Sequence, residues 1–118
     1  MQNNKLIAEF MGIVYPKLNN VIVIDNVVIK ENELQYDTSW GWLMPVVEKI
    51  EEELEEEFRV VILEHECSIH QKTEDQKLQT AFQCVVERFA TSKIEATYDA
   101  VVEFIKQYND ATSNNTEH

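Results

Sequence analysis

Glycine and proline are scarce, two of each in 118 residues, and the scarcity removes a class of function. A loop that cradles phosphate needs several glycines close together so that backbone N–H groups converge on the anion. With only Gly12 and Gly41 the chain cannot build one. Two cysteines, Cys67 and Cys84, are too few for a disulfide scaffold. Positive charge is also short: 10 basic against 22 acidic residues give a net charge of −12, which repels phosphate backbones and anionic head groups. Direct binding to nucleic acid or to a membrane surface is therefore not expected. Nor is there an apolar run near the roughly 20 residues of a spanning helix. The start, Met1 to Lys5, lacks a basic region followed by a long apolar one. The expected location is the cytoplasm, with both thiols reduced and with Asn114-Asn115-Thr116 not acting as a glycosylation acceptor.

What is present is an ordinary share of apolar residues, 44%, arranged with clear periodicity. From Tyr36 to Ile50 an irregular segment turns into the most amphipathic stretch of the chain. Trp40, Leu43, Val47, Ile50 and Leu54 recur at spacings of three and four, which places them on one helical face. Thr38 or Ser39 suits the N-cap, and the helix is expected to reach about Glu56. Pro45 lies inside it, but Pro45 and Gly41 both fall opposite the apolar face, so a modest bend is expected rather than a break.

Before this helix, Leu6, Ile7, Phe10 and Met11 predict a short helix capped by Asn3 or Asn4 and stopped by Gly12. Tyr15 to Asn20 reads as a turn. Val21-Ile22-Val23-Ile24 and Val27-Val28-Ile29 are β-branched runs around Asp25-Asn26, either a hairpin or one irregular extended segment. The stretch from Lys30 to Gln35 is polar and leads into the central helix. Beyond it, Phe58 to Leu63 suits a strand buried on both faces or at least on one. Residues Glu64 to Ser68 lengthen that strand or turn into a second, and Gln71 to Lys77 reads as a surface loop. Phe82, Cys84 and Val86 alternate with Gln83, Val85 and Glu87, which predicts a strand with one face inward, with a helix as the alternative. Ser92 followed by Glu95 marks the start of a last helix with the face Ile94, Tyr98, Val101, Val102, Ile105 and Tyr108, ending near Asn109.

This order predicts an α+β fold: an antiparallel sheet of about three to five strands, packed by two long amphipathic helices, with a short N-terminal helix. Residues 1–110 form one domain in this reading, and 111–118, small and polar, are expected to be a disordered tail.

The segments Asn4 to Gly12, Tyr36 to Glu51 and Lys93 to Lys106 resemble three blocks shared by a set of small uncharacterised proteins encoded by phages and by gut-type anaerobic bacteria, often near phage genes. Together they span about a third of the chain. More loosely, a tryptophan-bearing helix, a strand pair and a closing alanine-rich helix are similar to the phage α-β-α sandwich domain. The resemblance implies a phage-related or mobile-element-related accessory protein. It carries no catalytic residue to transfer.

Three groups of residues carry chemistry. His65, Cys67 and His70, with Cys84 as a fourth donor, have the residue types of a zinc site. On a strand, however, Cys67 and His70 point to opposite faces, and the second ligand pair usual in structural zinc sites is missing. A cysteine nucleophile is disfavoured by the neighbouring Glu64 and Glu66. Trp42, off the apolar face, either anchors a partner or covers an edge of its own core. Glu48, Glu51, Glu52, Glu55 and Glu56 form an acidic ridge, either a solvated face or a docking strip. The reading that follows is a non-enzymatic protein-interaction module with no cofactor, no metal and no catalytic residue. Its partner-binding candidates are Trp42, Glu48, Glu51, Glu52, Glu55 and Glu56, and self-association stays open. The alternative is a small metal-binding protein or enzyme built on His65, Cys67 and His70.

Overall fold

The computed structural model describes residues 2–12, 21–24, 27–30, 34–54, 57–73 and 81–116, with residues 2, 21–24, 27–30, 73, 81 and 112–116 described by backbone alone. It has the expected α+β class. The elements are α1 (Gln2–Phe10), β1 (Val21–Ile24), β2 (Val27–Lys30), α2 (Trp40–Glu52), β3 (Phe58–Ile62), β4 (Glu66–Thr73), β5 (Ala81–Phe89) and α3 (Lys93–Thr116). The expected turn at 15–20 and residues 74–77 of the expected loop lie outside the described residues.

The β-branched runs form the hairpin rather than one extended segment. Strands β1 and β2 pair antiparallel with Ile24 opposite Val27, in a two-stranded sheet of their own. The main sheet is antiparallel in the order β3-β4-β5. Leu63 N–H donates to the Glu66 carbonyl at 2.8 Å, so Glu64 and His65 form a tight turn and the chain enters a second strand at once. Gln71, Lys72 and Thr73 belong to that strand, not to a loop. As the middle strand, β4 has neighbours on both sides that satisfy its backbone: Gln71 lies opposite Phe58 and Gln83. A central strand does not need apolar residues along its whole length when one face is open to water.

Cys67 and Ile69 on β4 are fully buried beneath α3, which packs across this inner face. On β5 the alternation is interrupted. Ile69 pairs with Val86 but His70 pairs with Cys84, so Val85 is the extra residue of a β-bulge. The bulge advances the strand by one residue and inverts the faces of everything before it. Val86 is buried, but Cys84 is exposed, and Phe82 sits under the Arg59 guanidinium, 4.2 Å from its ring centroid, on the outer face. Val85, from the other set, faces Phe104 of α3 within.

β3 lies at the sheet edge and is only partly covered along most of its length, so it is not a strand buried on both faces. The bonds Leu63 N–H to Glu66 and Lys72 N–H to Glu57 show that residues 57, 59, 61 and 63 bond towards β4. The N–H of Val60 therefore points to the open edge. There the Glu51 carboxylate on α2 accepts it at 3.0 Å.

α2 begins at Trp40 with Ser39 in the N-cap position, in extended backbone geometry but with no side-chain cap bond. Its buried face is Leu43, Val46, Val47 and Ile50. Trp40 and Leu54 pack against the core only in part. Gly41 and Pro45 are exposed, as their register requires. The helix stops at Glu52, short of Glu56. Leu34, in the segment read as polar, is buried.

α3 is covered on two sides, by the sheet and by α1, which is why its buried set is broader than one stripe: Ala96, Thr97, Ala100, Val101, Val102, Phe104 and Ile105. Ser92 accepts the Glu95 N–H at 3.2 Å, the expected cap. The helix continues to Thr116, past the expected stop at Asn109, so residues 111–116 are helical rather than an irregular tail. An aromatic series ties the layers together: Phe58 meets Phe104 edge-on at 4.8 Å, Phe104 stacks on Tyr108 at 6.0 Å, and Tyr108 meets Phe10 of α1 at 6.0 Å.

α1 starts at Gln2, so Asn3 and Asn4 lie inside its first turn and do not cap it. Asn4 is buried and joins three parts of the chain. Its amide donates to the Leu34 carbonyl at 3.3 Å and to Asp37 Oδ1 at 3.2 Å, while the Tyr98 hydroxyl donates to Asn4 Oδ1 at 2.9 Å. Gly12 ends the helix at φ +82°, with its N–H on the Glu9 carbonyl at 3.0 Å.

Candidate functional site

Of the acidic ridge expected on α2, three residues are described. Glu48, Glu51 and Glu52 are exposed. Glu51 is engaged with Val60 and so serves the fold. Glu55 and Glu56 lie outside the described residues. Lys49 is turned away from it. Its ammonium donates to the Phe10 carbonyl and lies 4.8 Å from the Phe10 ring centroid, where the carbonyl end of α1 favours a cation. The ion pairs found among the described residues, Lys72 with Glu57 and Arg88 with Glu103, are elsewhere. The negative potential around Glu48 and Glu52 is thus not offset by an ion pair on α2.

Trp42 is partly buried and meets Tyr36 edge-on, ring centroids 5.2 Å apart. Tyr36 is itself buried, and burial raises its hydroxyl pKa. Trp42 thus closes a margin of its own core, the plainer of its two readings.

His65, Cys67 and His70 are not brought together. His65 lies in the exposed turn, its Nδ1 3.1 Å from the Thr91 carbonyl oxygen. Cys67 points inward against Thr97 of α3, and burial pushes its thiol up to about 11 although the Thr97 contact acts the other way. His70 points outward and shares a 3.0 Å hydrogen bond with Ser68. Cys84 lies opposite His70 on the outer face, away from Cys67. Among the described residues no group of three or more His, Cys, Asp and Glu side chains is placed to hold a metal ion. A protonated, buried thiol is also a poor nucleophile.

The outer face of the sheet is the surface that sequence reasoning missed. Cross-strand partners share a face, so it is built of rows: Leu63, Glu66 and Phe89, then Val61, Ser68 and Glu87, then Arg59, His70 and Cys84, then Glu57, Lys72 and Phe82. Among the described residues no helix covers it. Phe89 is 66% exposed and Leu63 52% exposed at one end. Beside them the Glu66 carboxyl is held above its ordinary pKa by a hydrogen bond to Glu87, then by burial, then by the charge of Glu87. On the inner side the Val85 bulge helps to form a cleft of about 170 Å³ between Phe58, Phe104 and Tyr108, with Gln71 and Gln107 at its margin. Its walls are apolar and carry no carboxylate pair for acid–base work. No helix among the described residues is long and apolar enough to cross a membrane.

Comparison of the chain with protein-family profiles, with curated proteins and with solved structures returns no match.

Alkali acts on the interior of the fold. The Cys67 thiol rises from 9.0 to about 11 and the Tyr98 hydroxyl from 10.0 to about 12, Tyr98 through burial and then through the charges of Asp37 and Asp99. Both groups hold their protons more tightly when folded, so the stability they contribute is complete below the unfolded values and is lost as pH rises through the folded ones. Thermal melts in reducing buffer should decline between pH 9.0 and about 12, and Cys67→Ala should flatten the first part of that decline, up to about pH 11. A melting temperature constant over this window would contradict the assignment.

Proposed function

We propose that the protein is a non-enzymatic interaction module of phage-related or mobile-element origin, which offers the acidic face of α2 to a cationic surface on a protein partner. The observation that carries this reading is the position of Lys49. The one basic residue of α2 is bound to the end of α1, so Glu48 and Glu52 present negative charge that α2 itself does not offset. Charge displayed this way acts over distance, speeding encounter with a positively charged protein more than it slows release. The phage-related origin rests on the resemblance of the three helical blocks.

The test is capture of a partner from the native host, followed by binding kinetics with the Glu48→Gln, Glu52→Gln double variant. Both side chains are exposed, so melting should be unchanged. Association with the partner should slow several-fold in the variant, and in the wild type as salt is raised from about 0.05 to 0.5 M, where screening shortens to a few ångströms. A partner whose association rate ignores both changes would eliminate the acidic face as its docking site.

A further inference from the structure

The acidic face does not account for the outer side of the sheet, which no helix among the described residues covers. That side has its own charge pattern. Glu66 and Glu87 lie at the end nearer Phe89, and Arg59 and Lys72 at the opposite end, with Glu57 beside Lys72 at the rim. Three carboxylates, Glu57, Glu66 and Glu87, and two cations, Arg59 and Lys72, face outward together in a chain whose net charge is −12. The surface is thus close to neutral locally, polarised from end to end, and flanked by exposed apolar side chains.

We infer that this face is a self-association surface, on which a second copy of the chain packs sheet to sheet about a two-fold axis lying across the strands. Two such axes are available between facing sheets. An axis along the strands would lay Glu66 and Glu87 near the same residues of the other copy, which like-charge repulsion opposes. An axis across the strands reverses the strand direction of the second copy and lays each end over its opposite. The rows then match. Glu66 comes over Lys72 of the second copy, which Glu57 pairs from the side, Ser68 over its His70, and Phe89 over its Phe82 and the Arg59 guanidinium that covers that ring, each contact occurring twice because the interface is isologous. The aromatic pair and the ion pair are both desolvated by the same packing, with the sheets about 10 Å apart and rotated by about 30° through their twist.

The footprint is modest. Three strands of about eight residues cover roughly 15 by 25 Å, about 400 Å² per copy, which is below the standard size of stable interfaces and in the range of weak, transient ones. The dimer should therefore form in the micromolar range. This inference is independent of the acidic-face reading, since neither Glu48 nor Glu52 lies on the sheet.

Sedimentation equilibrium of the intact chain from about 1 µM to 1 mM, a span that covers such affinities, should show a reversible monomer–dimer equilibrium. Phe89→Ser should weaken it at least tenfold without lowering the melting temperature, because the ring is largely exposed in one copy. Glu66→Lys and Lys72→Glu should each weaken it to a similar degree. The double variant, which restores opposite charges across the axis, should recover the wild-type constant to within about threefold. A chain that stays monomeric over the whole range overturns the inference. So does a dimer that Phe89→Ser or the charge cycle leaves unchanged.

Discussion

Val101→Asp should leave the protein unfolded at room temperature. Val101 is fully buried on α3, in a set that includes Ala100, Val102 and Ile105. No cation of α3 itself meets a carboxylate there: its basic residues, Lys93 and Lys106, are exposed. Burying an unpaired charge costs several kcal/mol after any shift in its pKa, and the lost valine packing adds about 1 to 3 kcal/mol. A domain of this size is stable by about 5 to 15 kcal/mol, so the single change removes most or all of the margin. Circular dichroism should show loss of the cooperative melt, whereas Lys106→Asp, one turn on but in water, should melt within a few degrees of the wild type. A cooperative Val101→Asp transition near the wild-type temperature would mean that α3 does not pack as described.

The second large effect is expected at Asn4, where the change in shape is almost nil. Asn4→Asp replaces an amide that donates to the Leu34 carbonyl and to Asp37 by an oxygen that can only accept. Three acceptors then face one another in a buried site, one of them the Asp37 carboxylate. The cost should be about 3 kcal/mol or more. Asn4→Ala removes the same bonds without adding a charge and should cost about 2 kcal/mol. The order of the two in urea denaturation is the test. If the alanine variant proves the weaker, the amide does not bridge α1, the segment before α2 and α3 in the orientation described.

Asn4 also shows where sequence reasoning stops. An asparagine near a helix start reads as a cap, because its local options are visible in its neighbours and its distant ones are not. Its partners, Leu34, Asp37 and Tyr98, lie up to 94 residues away. The α+β class, the hairpin, the apolar face of α2 and the Ser92 cap were legible because each depends on periodicity or on spacing within a few residues. Phe104 was left out of the α3 face because a single stripe was assumed, whereas α3 has neighbours on two sides. The acidic ridge was legible as composition but not as geometry: the end of α2 at Glu52 and the bond from Glu51 to Val60 arise from the docking of α2 beside β3. Lys49 could be seen as a neighbour of the glutamates, but its attachment to Phe10 depends on where α1 ends in space. The outer sheet face was hidden for a different reason. Strict alternation puts Phe82, Cys84 and Val86 on one face, and nothing in Cys84-Val85-Val86-Glu87 marks the residue at which the alternation slips.

That slip makes one part of β5 tolerant of a shorter chain. Val85 is the surplus residue that lets Val86 stay under α3 while Cys84 faces solvent. Deleting it would make residues 84 and 86 neighbours on opposite faces, which is where they already lie, so residues 82–84 would keep their faces and their partners on β4. The guanidinium of Arg59 would keep the ring it covers, and the loss would fall on the Val85 side chain at the cleft beside Phe104. In β5, then, Val85 is a residue that can be lost in frame without turning a face over.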